Sequence, residues 1–152
     1  MSAARAQDAV CEARAWIGTP YVHQASCKGA GCDCLGLIRG IWRALYGAEP
    51  EAVPAYTQDW AEPQGDEVLM RGALRHLVQV ADDAPLRAGQ VLLFRMRQGR
   101  IAKHLGLCSQ GARAPDGAKF IHAYSGHAVT ESPLPAPWMR RIAARFDFPK
   151  GV

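Results

Sequence analysis

The chain has 152 residues, 49% of them hydrophobic and 21% charged, with 18 Lys and Arg against 14 Asp and Glu for a formal charge of +4. That length suits one domain over residues 1–152 with a single core. The four Trp, four Tyr and four Phe exclude a disordered tail, a coiled coil or a collagen-like fibre. The basic excess is dispersed, apart from a short cluster at Arg140, Arg141 and Arg145, and lacks the concentrated face of a nucleic-acid binder, so no specific nucleic-acid partner is expected. No apolar run reaches the roughly 18–20 residues that cross a bilayer, so no membrane span is expected. Residues 1–15 lack the apolar centre of a secretory signal, so no export signal is expected either. Five cysteines (Cys11, Cys27, Cys32, Cys34 and Cys108) are an odd number and cannot all pair within one chain.

Residues 3–17 place apolar side chains at helical spacing (Ala6, Ala9, Val10, Ala13, Ile17), which predicts an amphipathic helix ended by Gly18. Residues 18–31 carry Gly18, Pro20, Ser26, Gly29 and Gly31 and read as loop. Asp33 is an N-capping residue ahead of Leu37, Ile38, Ile41, Trp42 and Leu45, a broad apolar stripe that predicts a second helix closed by Gly47. Pro50, Pro54 and Pro63 mark residues 48–63 as a long irregular loop with room for one helical turn. Helical periodicity returns over 66–80. After Pro85 the pattern becomes short strands at 90–96, 103–109, 119–124 and 128–132, with turns at Gly99, Gly111, Gly117 and Gly126. Residues 138–148 read as a strand, with or without a helical turn before it. Helices first and consecutive strands afterwards predict an α+β fold with an antiparallel sheet.

The strongest candidate for chemistry is Cys34, in the first turn of the second helix. Amides at a helix N-terminus and the macrodipole stabilise an anion, so the position is expected to lower the thiol pKa and populate the nucleophile. The same amides can serve an oxyanion. A cysteine nucleophile needs a base, and His104 and His122 lie on predicted strands, where sheet pairing can bring one imidazole to the thiol and the second behind it. The alternative readings are a buried structural thiol and two satisfied strand histidines. His23 and His127 fall in loop or turn contexts, and His76 is expected mid-helix and solvated.

These residues carry a resemblance to the NlpC family of papain-like bacterial cell-wall cysteine peptidases, and within it to the short form found in phage and gene-transfer-agent tail modules. The chain has the family's Gly-x-Pro-Tyr element as Gly18-Thr19-Pro20-Tyr21 and its Asp-Cys-x-Gly-Leu element as Asp33-Cys34-Leu35-Gly36-Leu37. A glycine-marked turn and apolar strand follow at residues 86–94. The His-x-Gly strand is His104-Leu105-Gly106, and His122 stands where a third polar residue follows. The four elements keep their order and spacing over about residues 5–125. The resemblance implies a papain-like NlpC-type fold, with N-terminal helices packed on a central antiparallel sheet.

It also implies hydrolysis of an amide in a peptidoglycan stem peptide, typically between D-glutamate and a diamino acid. Cys34 would attack, His104 would carry the proton and His122 would orient His104, with Tyr21 and Asp33 lining the substrate site. Asp33 would be available to a substrate ammonium, its simpler role being the helix cap; Tyr21 has a packing role as its alternative. The implied partners are the stem peptide and hub or tip proteins of a phage-like tail, which would carry a chain made in the cytoplasm to the periplasmic wall to aid passage of DNA. The chain departs from the family in having Leu35 where most members have Ser, which removes a polar contact to the N-terminal end of the stem peptide. No cofactor is implied. Two other readings remain: an inactive structural or plug subunit of the tail tip, and a small metal-binding module using Cys27, Cys32 and Cys34. The spacing of those three lacks paired Cys-x2-Cys knuckles, so no metal site is assigned. Cys32 is also placed to pair with Cys27 or Cys34 under oxidising conditions.

Overall fold

A computed structural model describes residues 1–60 and 62–151. In chain order its elements are α1 (Ala3–Ala15), β1 (Ser26–Cys27), β2 (Gly31–Cys32), α2 (Cys34–Tyr46), a 3-10 turn (Glu62–Gln64), α3 (Val68–His76), β3 (Val78–Gln79), β4 (Val91–Arg95), β5 (Ala102–Gln110), β6 (Lys119–Tyr124), β7 (His127–Pro133), α4 (Ala136–Met139) and β8 (Ile142–Asp147).

The larger sheet has the order β3-β8-β4-β5-β6-β7, with every neighbouring pair antiparallel. Its centre is β4, buried from Val91 to Phe94, which reads as a continuous apolar run because both faces of the sheet are covered there. The strand's period of two divides that run. Val91 and Leu93 join the main core with α1 and α2, while Leu92 and Phe94 join a smaller cluster with Leu86, Cys108, Phe120 and Leu134 on the other face. Leu37 and Ile41 of α2 are fully buried in the main core. Each contributes on the order of 1.5–3 kcal/mol by leaving water.

Helix ends follow the polar residues expected of them. Ser2 caps α1 by accepting the Arg5 amide, Asp33 caps α2, and Gly47 closes α2 at φ 92°. The fold is α+β with helices packed on an antiparallel sheet, as expected. Three local expectations are corrected. Residues 18–31 are not simply loop, because β1 and β2 form a short antiparallel hairpin that Tyr21 joins through a parallel bridge to Cys32. The helix expected over 66–80 stops at His76, and Val78 and Gln79 pair with β8 at the sheet edge instead. His76 therefore ends its helix and is half-buried, with Nε2 3.1 Å from the Glu51 carboxylate.

The arginine cluster near the C-terminus is also divided. Arg145 is 8% exposed and donates to the carbonyls of Ala81, Asp82 and Ala84 and to Gln90 Oε1, which ties residues 81–84 to the sheet. Arg141 is exposed, with its guanidinium 5.7 Å over the Trp138 ring.

Candidate active site

Cys34 opens α2 directly after the Asp33 cap, whose Oδ1 accepts the Gly36 amide at 2.7 Å. Close packing beneath this turn explains the glycine. A Cβ on Gly36 would lie 1.9 Å from the Ala25 carbonyl oxygen, so any larger residue would push the helix start off the hairpin. The hairpin is in turn held to the helix, since Ser26 Oγ donates to the Gly36 carbonyl at 2.6 Å and Arg43 bonds both Ser26 oxygens. Pairing of the 20–22 segment with Cys32 delivers Tyr21 beside the helix start.

The base side is built from the sheet. His104 on β5 and His122 on β6 are both buried, and Nε2 of His104 lies 2.9 Å from Nδ1 of His122. Gly106 permits this approach, because a Cβ there would meet the Phe120 ring at 3.0 Å and His122 Cβ at 3.3 Å. The imidazoles sit among aromatic rings. Phe120 stacks on His122 at 4.0 Å, and Trp138 meets His104 and His122 edge-on at 5.6 and 5.4 Å.

Cys34 and His104 line one cleft of about 430 Å³ with Tyr21, Asp33, Tyr56, Arg97, Lys103 and Arg141 among its other walls. The backbone amides of Leu105, the residue after His104, of Leu35 and of Cys34 itself act to lower the Cys34 thiol pKa. Among the described residues His104 bonds His122, and a direct Cys34–His104 hydrogen bond is not made. Bonds of this kind commonly tighten only around bound substrate.

Burial sets the charge states. It pushes the Cys34 thiol up to about 12, aided by the neighbouring Asp33 and opposed by the three amides. It pushes His104 down to about 3, with His122 adding to the effect, and His122 down to about 4, with His127 adding. The expected lowering of the thiol pKa by the helix start is therefore present but outweighed, because the sulfur lies 8% exposed in the wall of the core. Thiol and imidazole are both neutral at rest. Tyr21 is raised to about 12, chiefly by burial, so its hydroxyl remains a donor.

Several residues of the site are not evident from sequence periodicity. Tyr56, from the proline-marked loop, donates its hydroxyl to Asp33 Oδ2. Its carbonyl accepts from His23 Nε2 and Gln24 Nε2, each at 2.8 Å, and its ring stacks on Trp60 at 3.9 Å. His23 is thus part of the site's frame, with Nδ1 3.8 Å from Asp33 Oδ2. Trp138, Arg97 and Arg141 are likewise brought in by tertiary structure. The available signal was the aromatic pair Tyr56 and Trp60 within a loop otherwise made of Ala, Pro, Val and polar residues.

The remaining cysteines are free. In the β1–β2 hairpin Ser26 pairs with Cys32 and Cys27 with Gly31, so Cys27 and Cys32 project to opposite faces, one exposed and one buried. This placement does not favour a disulfide between them. Among the described residues no group of three or more His, Cys, Asp or Glu side chains is placed to hold a metal ion. Among the described residues no helix is long and apolar enough to cross a membrane.

No protein-family model matches the chain, and no curated protein matches it significantly. Solved structures do. An NLP/P60-family protein similar to a lipoprotein, from Staphylococcus aureus, superposes with a TM-score of 0.61 at 18% identity, covering 97% of this chain and 42% of its own. The NlpC/p60 domain of the peptidoglycan hydrolase SagA gives 0.57 at 20% identity over 94% of this chain and 98% of that domain. NlpC2 from Trichomonas vaginalis gives 0.59 at 18% identity, over 97% and 48%. The chain thus spans under half the length of the first and third and nearly all of the SagA domain. Its fold is the papain-like fold of NlpC/P60 domains.

Proposed function

We propose that this protein is a cysteine hydrolase of peptidoglycan stem peptides. The observation that carries the reading is the meeting of a helix-start thiol with a two-histidine relay in one cleft, on a fold shared with a peptidoglycan hydrolase domain.

Because His104 Nε2 is engaged by His122 Nδ1, Nδ1 of His104 is the nitrogen left to accept the Cys34 proton. Both groups start neutral, so proton transfer accompanies formation of the carbon–sulfur bond. The amide-rich helix start and the Tyr21 hydroxyl supply donors for the oxyanion. His104 then returns the proton to the leaving amine, and water attacks the thioester to regenerate Cys34. His122 holds His104 in the tautomer this sequence needs.

The bond cleaved is the one between D-glutamate and the diamino acid, and the protein reaches the wall on a phage-like tail, as the resemblance of its motifs implies. The test is loss of turbidity of purified Gram-negative sacculi, with mass spectrometry of the released muropeptides, for wild type and Cys34→Ala. Wild type releases peptides ending at that bond and the variant releases none. Equal activity of the two would remove Cys34 as nucleophile.

A further inference from the structure

One end of the sheet, where β4 leaves, β5 enters and β8 begins, carries Arg95, Arg97, Lys103 and Arg141. Backbone pairing fixes their placement. The Arg95 amide donates to the Arg141 carbonyl at 2.8 Å, and the turn from β4 to β5 closes with the Arg100 amide on the Arg97 carbonyl at 3.2 Å. Carboxylates from the preceding segment neutralise two of the four cations. Glu67 pairs with Arg95 and accepts the Ala102 amide, and Glu62 pairs with Lys103. Arg97 acts on Glu62 electrostatically, yet neither Arg97 nor Arg141 forms an ion pair among the described residues.

Both arginines line the cleft that holds Cys34 and His104. Asp33, the one carboxylate among the described residues of that cleft, does not serve them, because its oxygens are taken by the Gly36 and Gln24 amides and the Tyr56 hydroxyl. Nor do the guanidiniums tune the imidazoles, whose shifts come from burial and from neighbouring histidines. The cleft therefore keeps two positive charges that the fold leaves without a counter-charge, and such a cleft draws an anion. A guanidinium suits a carboxylate, which it binds through two parallel N–H bonds. Arg141 is already ordered for that task by the Trp138 ring 5.7 Å beneath it, the same ring that covers His104 and His122. An anion held there lies beside the imidazole wall.

We propose that Arg97 and Arg141 form a carboxylate subsite of the cleft, and that the protein selects stem peptides whose carboxylates beside the cut bond are free over those in which they are amidated. This rests on the hydrolase reading above and deepens it by naming the form of the substrate. Two carboxylates flank that bond in a stem peptide, the α-carboxylate of D-glutamate and the side-chain carboxylate of the diamino acid. Their shared chemistry is what the arginines read, and the test separates the two.

The experiment compares initial rates, at low substrate concentration, on purified peptidoglycan in three forms: both carboxylates free, the glutamyl α-carboxylate amidated, and the diaminopimelyl side-chain carboxylate amidated. The free form is favoured over at least one amidated form by about tenfold to a hundredfold, the scale of a hydrogen bond between charged groups. The disfavoured form identifies the carboxylate that is read. Arg97→Gln combined with Arg141→Gln brings the ratio down to about one, with the loss falling on the free form. Both side chains are exposed, and an unchanged melting temperature shows that the fold is kept. Equal rates on all three forms in wild type would overturn the inference while leaving the hydrolase intact. A double variant that keeps the wild-type ratio, or that loses rate equally on every form, would overturn it as well. No cleavage of any form would remove the hydrolase reading, and this inference with it.

Discussion

The two walls of the cleft are built by different means. The thiol wall has a local centre: the Asp33 cap, Cys34 and the glycine that seats the helix lie within residues 33–36, joined by the Gly36–Asp33 bond across three residues and braced by Gln24, Ser26 and Tyr56. The imidazole wall is assembled from distant parts of the chain, β5, β6 and α4, and is held by ring contacts as much as by polar bonds. Local walls are rigid because the backbone satisfies itself. Assembled walls depend on every strand register and on the rings that exclude water. The difference locates where each function is vulnerable.

The sharpest break comes at the assembled wall. His104→Ala lowers kcat/KM on sacculi by about a hundred- to ten-thousand-fold, the range of a lost general acid–base. His122→Ala loses less, about a hundredfold. His122→Asn recovers part of that loss, because its amide oxygen still accepts from His104 Nε2; an equal loss in both variants would show that His122 does more than orient its neighbour.

At the local wall the expected failure is structural. Gly36→Ala forces a methyl against the Ala25 carbonyl and costs about 3 kcal/mol or more of stability, read as a shift in denaturant midpoint. A midpoint shift below about 1 kcal/mol would mean that the helix start is looser than its packing indicates.

The smallest effect is on pH dependence. Below about pH 6.5 the unfolded chain takes up protons at residues 104 and 122 that the folded chain refuses until about 3 and 4. Stability contributed by the neutral pair is full above 6.5 and is lost on acidification toward those values. Trp138→Ala admits water to both rings and moves their titration back up toward 6.5. The decline of melting temperature on acidification is then shallower than in wild type, and an acid limb of activity moves toward neutral pH. Unchanged profiles would mean that the Trp138 ring does not desolvate the pair.

The same contrast accounts for what was legible in the sequence. Periodicity and capping located α1, α2 and the principal strands within a few residues, because those signals are local. The hairpin at residues 26–32 was hidden, since two-residue strands carry no period and Gly29 and Gly31 read only as turn. The end of α3 was overrun because Val78 suits a helix face and a sheet edge equally; pairing with β8 decides it. Cys34, His104 and His122 were legible as candidates by residue type and order, and the fold brings them to one site. The thiol's charge state was not, because burial is a property of the whole packing. Tyr56 and Trp138 were missed for a related reason, since an aromatic in a loop gives no indication of which distant group it will cover.

The division of the β1–β2 hairpin bears on how the protein tolerates air. Thiol–disulfide exchange proceeds through thiolates that can reach one another. Cys27 stands in solvent, while Cys32 and Cys34 are buried and held near 12. Glutathione disulfide can therefore exchange with Cys27, forming a mixed disulfide and releasing glutathione, while Cys34 stays reduced, so a chain handled without reductant keeps the sulfur of its proposed nucleophile free.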